Sequence, residues 1–156
     1  MLLRSNIAAH HKYKDNFMDV FTKEKRSEVM SKIRAKNTKP ELIVRKILYQ
    51  IGCRFRLHNK HLPGKPDICM RKHNTIIFVH GCFWHYHQKC RDGKIPKSNV
   101  GYWQPKIERN TKRDKENKAA LKKLHWKVLT IWECETRDTA KLEKRLRDYF
   151  KMKKDN

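Results

Sequence analysis

The sequence predicts an α/β protein in which a small mixed sheet lies between helices. Three observations point there. At 156 residues the chain has the length of one domain with a single core. Apolar residues recur at helical spacing after Thr38 and again from Thr139 to Phe150. Two short runs, Thr75-Ile76-Ile77-Phe78-Val79 and Lys127-Val128-Leu129-Thr130-Ile131-Trp132, have the β-branched and aromatic content of buried strands. The resulting order is helix, helix, strand, hairpin, helix, strand, helix, which calls for a layered α/β sandwich.

Composition narrows the function. A formal charge of +23 exceeds what solubility needs and implies an anionic partner, nucleic acid before an anionic membrane. Membrane binding would want a basic amphipathic helix with a wide apolar face, and no apolar run approaches the length of a spanning helix. The first residues lack the apolar stretch of a secretory signal, so a cytoplasmic protein is expected. With five cysteines in a reducing compartment, metal ligation or burial is expected rather than a disulfide framework.

Along the chain, residues 1–21 read as a flexible basic arm containing His10, His11, Lys12 and Lys14. A single domain is expected over 22–150, followed by a lysine-rich tail over 151–156. Thr22 to about Lys36 reads as a charged helix with Val29, Met30 and Ile33 on one side. Thr38-Lys39-Pro40-Glu41 is a capping-box pattern, and Leu42, Val44, Ile47, Leu48 and Ile51 give the next helix its buried side before Gly52 stops it. Cys53, Phe55 and Leu57 alternate with arginines, predicting a strand with one basic face. Leu62 to Asp67 is a rigid loop leading into Ile68-Cys69-Met70, which pairs as a hairpin with Thr75–Val79 across a turn at Lys72-His73-Asn74. Lys94 to Gly101 reads as a loop, with Trp103 ahead of a long helix that starts at Pro105 and is anchored by Leu121 and Leu124. The strand Lys127–Trp132 follows. The last helix, from Thr139 to Phe150, is expected to turn Leu142, Leu146, Tyr149 and Phe150 inward.

The stretch Val79-His80-Gly81-Cys82-Phe83-Trp84-His85-Tyr86-His87-Gln88-Lys89-Cys90 concentrates more chemistry than a core strand or helix face needs. Cys82, His87 and Cys90, with Cys134 at the end of a predicted strand, match a closed tetrahedral zinc site in which one loop wraps the ion and a distant cysteine ties it to the sheet. The plainer reading is burial of small hydrophobes. Spacing favours zinc here, while burial is the better reading for Cys53 and Cys69.

Pro66-Asp67 before one hairpin strand, with Val79-His80 ending the other, resembles the metal-binding core of restriction-type nucleases, PD-(D/E)xK. There the first carboxylate and the second strand hold Mg²⁺ against the scissile phosphate. Here Phe78, Val79 and His80 stand where an acid and a lysine are expected, so proton transfer would fall to histidine and the strand would offer a backbone carbonyl. Taken alone, the dipeptide is better read as a turn or cap. Phe83 and Trp84 in a polar loop, and Trp103, could wedge between base pairs or pack as a satellite cluster. Chemistry leaves these balanced for Phe83 and Trp84 and favours core packing for Trp126 and Trp132.

Three segments together, Leu62–Asp67, Val79–His85 with its His-Gly-Cys-Phe-Trp-His run, and Val128–Cys134, resemble the very-short-patch repair endonucleases, the Vsr family, over about Lys25 to Phe150. The resemblance implies a restriction-endonuclease-like α/β fold with a structural zinc. It implies a bacterial enzyme that nicks double-stranded DNA 5′ of the thymine in T:G mismatches left by 5-methylcytosine deamination, initiating very-short-patch repair. By the same resemblance Asp67 and the Val79 backbone carbonyl bind Mg²⁺, His85 transfers a proton to or from water, and His80 is a second active-site histidine oriented by Asp114. Glu41 becomes an active-site glutamate as well as a cap. Cys82, His87, Cys90 and Cys134 become the Zn²⁺ ligands. Phe83, Trp84, Trp103 and Met30 become intercalating residues. A monomer that joins the nucleoid when acting is expected. Coupling to other mismatch-repair proteins is an expectation of the same kind and carries no residue assignment. Two alternatives stand beside this: a non-catalytic zinc-containing binder of distorted DNA, which would not need Asp67, His80 and His85 together, and an endonuclease of different site specificity.

Overall fold

The computed structural model describes residues 25, 27, 28, 36–97 and 99–151. The expected basic arm, Met30 with most of the first helix, and residues 152–156 lie outside the described residues. Lys25, Ser27 and Glu28 are helical.

Thr38 starts helix α1 (Lys39–Gln50) with a full capping box. Its hydroxyl accepts the Glu41 N–H, and the Glu41 carboxylate accepts the Thr38 N–H at 3.4 Å. After Ile51, Gly52 at φ 82° carries the chain out in the left-handed region. The expected strand from Cys53 shrinks to β1 (Arg56–Leu57), and both of its residues are exposed. Cys53 is buried and Phe55 packs on the core, but His58 at φ 48° turns the chain before the alternation can continue.

The hairpin forms as expected. Strand β2 (Ile68–Met70) passes through a 3-10 turn, Arg71–His73, and left-handed Asn74 into β3 (Thr75–His80), with Met70 opposite Thr75 and Ile68 opposite Ile77. Helix α2 (Val100–Lys123) starts at Val100 rather than at Pro105. Trp103 is therefore helical and 1% exposed, not part of a loop. Proline forfeits one intrahelical bond, which burial of a whole indole outweighs. Strand β4 (Lys127–Trp132) runs parallel to β3, and α3 (Thr139–Phe150), capped by Asp138, closes the domain.

The sheet order is β1-β2-β3-β4, with only β3 and β4 parallel. One face packs Ile68, Ile77, Leu129 and Ile131 against Val44, Ile47 and Leu48 of α1 and Leu142, Leu146 and Phe150 of α3. The other packs Ile76 and Phe78 on Leu121 of α2. This mixed α/β architecture is the expected one. Two anchors are corrected: Leu124 and Tyr149 are exposed, lying just past the buried stripes of their helices. Among the described residues no helix is long and apolar enough to cross a membrane.

Because β3 and β4 are parallel neighbours, with His80 opposite Trp132, the loops that follow them begin side by side. Open α/β sheets characteristically place their sites there.

Candidate active site

A cleft of about 930 Å³ opens at this end of the sheet, between α1, the Gly64–Asp67 loop, β3 and the middle of α2. One wall is acidic. Asp67 Oδ2 accepts the Val79 N–H at 2.8 Å. In an extended strand a residue's N–H and C=O point to the same side, so the Val79 carbonyl faces the side of the Asp67 carboxylate. Glu41, 3% exposed, keeps its cap and still reaches this wall. Its Oε1 accepts from the Thr38 hydroxyl at 2.9 Å, and its Oε2 accepts from the Asn37 N–H at 3.1 Å and from Arg45 at 2.6 Å. Ligand atoms of Glu41, His58 and Asp67 all lie within 4.8 Å of one another. Burial pushes the Asp67 carboxyl up, and the Glu41 carboxylate adds to this against the Val79 N–H, His58 and Arg45. One buried and one half-buried carboxylate beside a strand carbonyl fit a hard, oxygen-seeking divalent cation such as Mg²⁺.

The other wall holds the histidines. Asp114, on α2, lies 2.5 Å from His85 Nδ1 and 4.0 Å from His80 Nδ1. The carboxylate thus orients His85 and is beyond hydrogen-bond reach of His80, the reverse of the expected pairing. The reason is stacking: the two imidazoles lie face to face at 3.8 Å, with His85 outermost. Burial pushes Asp114 up, but the His85 hydrogen bond and the surrounding positive groups bring it below the ordinary carboxylate value. His80 is 5% exposed, and its Nδ1 has no hydrogen-bond partner among the described residues. Burial first, then the neighbouring His85, lowers it to about 3. It is neutral at working pH.

A chain of turns shapes the loop between these walls. The His85 N–H bonds to Gly81 O at 3.2 Å, the His87 N–H to Cys82 O at 2.9 Å and the Cys90 N–H to His87 O at 3.0 Å. The winding is tight enough that a Cβ on Gly93 would stand 2.1 Å from the His87 carbonyl oxygen. It brings Cys82, His87, Cys90 and Cys134 together with ligand atoms all within 4.8 Å. His87 Nδ1 is 3.6 Å from Cys82 Sγ and 3.4 Å from Cys134 Sγ. A tetrahedral zinc with ordinary Zn–S and Zn–N lengths separates such ligands by about 3.6 Å, so the four residues fit that ion. Burial and the adjoining thiols push Cys82 up to about 12. The cluster is braced from outside. Trp132 stacks on His87 at 4.2 Å, Arg137 pairs with Asp92, and Arg145 pairs with Glu135 beside Cys134.

Phe83, Trp84 and Trp103 form one cluster. Phe83 meets Trp84 and Trp103 edge to face, each at 5.1 Å, and Trp84 meets Trp103 at 6.0 Å. Phe83 and Trp84 are half-buried. Trp103 lies beneath them, and Lys106 stands over the Trp84 ring at 5.3 Å.

Sequence reasoning missed Arg45, His58, Lys106, Asn110 and Lys118. Asn110 donates to the Trp84 carbonyl at 3.0 Å, and Lys118 lines the cleft, with burial pushing its ammonium down. A signal was present on α2. Trp103, Ile107, Asn110, Asp114, Lys118 and Leu121 recur at helical spacing, so the inward stripe is polar where it crosses the cleft.

Compared with known proteins, residues 18–91 match the family described as DNA mismatch endonuclease Vsr. The chain is 50% identical over 130 residues to "Type II nicking enzyme V.XorIIP" of Xanthomonas oryzae pv. oryzae, covering 83% of this chain and 95% of the relative. It is 47% identical over 137 residues to "Type II nicking enzyme V.NmeAIP" of Neisseria meningitidis, covering 88% and 97%. It is 38% identical over 124 residues to "DNA mismatch endonuclease Vsr" of Escherichia coli, covering 80% and 79%.

Proposed function

The chain belongs to the Vsr family of DNA mismatch endonucleases, and from that premise we propose that it nicks double-stranded DNA 5′ of the thymine in a T:G mismatch, initiating very-short-patch repair after 5-methylcytosine deamination. The observation that carries the reading is one cleft with a half-buried carboxylate at Asp67 on one wall and a carboxylate-held imidazole at His85 on the other. Two relatives near half identity are named nicking enzymes, which supports cleavage of one strand. The mixed sheet and the Asp67 hairpin are in keeping with a restriction-type nuclease core.

Mg²⁺, when bound, acidifies the attacking water and offsets charge on the phosphate. Asp67 and the Val79 carbonyl would hold it, with Glu41 behind them. His85 gives its Nδ1–H to Asp114, which leaves the Nε2 lone pair to accept the proton of the attacking water. His80, neutral and stacked beneath, fixes the plane of that ring. Lys65, Lys106, Arg113 and Lys118 draw the phosphate backbone into the cleft. Phe83 and Trp84 enter the base stack. A mismatched pair opens at lower cost than a matched one, and that difference is the selectivity. Trp103 belongs to the wedge as its base, and Met30 is assigned to the minor-groove side. Cys82, His87, Cys90 and Cys134 would hold Zn²⁺, and that brace would keep the wedge and the histidines in register. We read the enzyme as a monomer working on the bacterial nucleoid.

The test is a labelled duplex with one T:G pair in a cytosine-methylase context, incubated with Mg²⁺ beside its matched counterpart and the Asp67→Ala variant. The expected result is a single Mg²⁺-dependent nick on the thymine strand that Asp67→Ala abolishes. Equal cutting of matched and mismatched duplexes refutes mismatch selectivity, and undiminished cutting by Asp67→Ala refutes the metal assignment.

A further inference from the structure

We propose that Lys118 is a catalytic cation of the nicking reaction: from α2 its ammonium holds a non-bridging oxygen of the scissile phosphate and offsets the charge that builds there. The inference rests on the proposed nicking of T:G duplexes, and it gives one cleft lysine a role beyond general attraction of the DNA backbone.

The cations that line the cleft, Lys65, Lys106, Arg113 and Lys118, are not equivalent. Lys65 and Arg113 are exposed, and Arg113 donates to Asn110 Oδ1 at 3.3 Å. Lys106 is half-buried but engaged: its ammonium is 3.4 Å from the Tyr102 hydroxyl and stands over the Trp84 ring. Lys118 is also half-buried, and among the described residues its ammonium makes neither a hydrogen bond nor an ion pair. Taking a charge partly out of water without a partner costs free energy. Leu121, next on the same stripe of α2, packs on Ile76 and Phe78, and Phe78 itself lines the cleft. The helix is thus seated on the sheet one turn past Lys118, which holds the ammonium at the cleft and away from the solvent face.

The nearby carboxylate does not satisfy this cation. Asp114 lies one helical turn before Lys118, but it is committed to His85 at 2.5 Å. Burial pushes the Lys118 ammonium down, Asp114 offsets this in part from beyond ion-pair distance, and Lys122 adds to the fall. Lys118 is in turn among the charges that lower both His80 and Asp114, so it stands close to the group that works on the attacking water. A scissile phosphate has two non-bridging oxygens. With one toward the Asp67 wall, the other is left to α2, where Lys118 is the unengaged cation. A compact ammonium with three donors suits a single phosphate oxygen. Negative charge grows on these oxygens as the water attacks, so the contact strengthens on the way to the transition state. Lys118 forms no covalent bond and transfers no proton; the proton of the water goes to His85.

The experiment uses the full chain, purified without chelators, as wild type, Lys118→Met, Lys118→Gln and Lys118→Arg. The probes are T:G duplexes in which a neutral methylphosphonate replaces either the phosphate 5′ of the mismatched thymine or one several nucleotides away. Affinities are measured without Mg²⁺, so this cycle needs no cleavage. At the phosphate 5′ of the thymine, the methylphosphonate should weaken wild type at least about tenfold more than Lys118→Met, because a charge-assisted contact can be lost only once. At the distant phosphate both proteins should lose equally. With Mg²⁺ and saturating enzyme, Lys118→Met and Lys118→Gln should nick the unmodified duplex at least about tenfold more slowly, and Lys118→Arg should keep more of the rate than either. Lys118→Met keeps the stem and sheds an unpaired charge, so it should melt no lower than wild type. Equal methylphosphonate losses in wild type and Lys118→Met overturn the inference. So does a weaker affinity with a shallower salt dependence but an undiminished saturating rate, which would make Lys118 one more backbone contact. A Lys118→Met chain that melts well below wild type overturns it too, by making the ammonium part of the fold. A wild type with no Mg²⁺-dependent nick fails the functional reading, and the methylphosphonate cycle still decides the contact.

Discussion

Replacing Trp103 with alanine separates support of the wedge from direct contact with DNA. The indole is 1% exposed. It meets Phe83 at 5.1 Å, Trp84 at 6.0 Å and Tyr102 at 4.9 Å, all edge to face. Removing a buried tryptophan costs about 3–5 kcal/mol in lost transfer and cavity terms. Its Nε1 has no partner among the described residues, so the variant also sheds an unsatisfied donor, which returns about 1 kcal/mol. A net loss of about 3 kcal/mol is expected, or roughly 6–12 °C in melting temperature for a chain of this size. Trp103→Phe keeps an apolar plate and should lose about 1 kcal/mol. Phe83→Ala and Trp84→Ala remove half-buried rings. They should cost less stability and should narrow the ratio of nicking on T:G over matched duplex. Urea unfolding followed by single-turnover nicking reads both quantities. If Trp103→Ala unfolds within about 1 kcal/mol of wild type while losing mismatch preference, then Trp103 contacts the base stack directly and does not support it from below.

Three further outcomes are expected. Asp114→Asn replaces a charge-assisted bond at 2.5 Å and should slow nicking by roughly ten- to a hundredfold with duplex affinity nearly unchanged; adding His85→Ala should cost little more, and full additivity in that cycle counts against the pairing. Stripping the metal, or Cys134→Ser, should release zinc, lower the melting temperature and abolish nicking together, whereas protein that analyses as zinc-free yet remains fully active refutes the cluster's assignment. For pH, His80 is held near 3 when folded against about 6.5 when unfolded. The unfolded chain then binds more protons between these values, so stability is full above about pH 6.5 and falls as pH drops toward 3. About 2 kcal/mol should be lost from this group between pH 7.5 and 5; His80→Gln should flatten that limb, and an unchanged acid slope contradicts the buried neutral imidazole.

Local signals carried much of the fold. The Thr38–Glu41 box, the Lys72–Asn74 turn and the Thr75–Val79 run each act over a few residues, and each formed where the sequence places it. The convergence of Cys82, His87 and Cys90 was readable because one loop supplies all three. Long-range geometry was harder. That Asp114 would bond His85 and leave His80 unpaired depends on how α2 crosses the cleft, and spacing along the chain does not encode a stacking order. Pro105 hid the true start of α2, because proline is far commoner at a helix's first turn than farther in. His58 escaped notice for a related reason. Its left-handed backbone ends a strand that the alternation of Cys53, Phe55 and Leu57 would have extended, and only that bend brings its ring to Arg45.

The parallel register of β3 and β4 governs how long the cleft lasts as well as where it lies. These strands cannot be joined by a tight turn, so the whole crossover through α2 must close before Ile77 can face Leu129. Pairings that distant in sequence form late in folding. Cys82 lies two residues past the end of β3 and Cys134 two residues past the end of β4, so a metal clasp across them would close only after the slowest contact has been made. Such a clasp would add nothing to the search for the fold and would oppose its reversal. Its contribution should therefore appear as a longer native lifetime at unchanged folding speed. An endonuclease clasped in this way would keep its site assembled by that slow release.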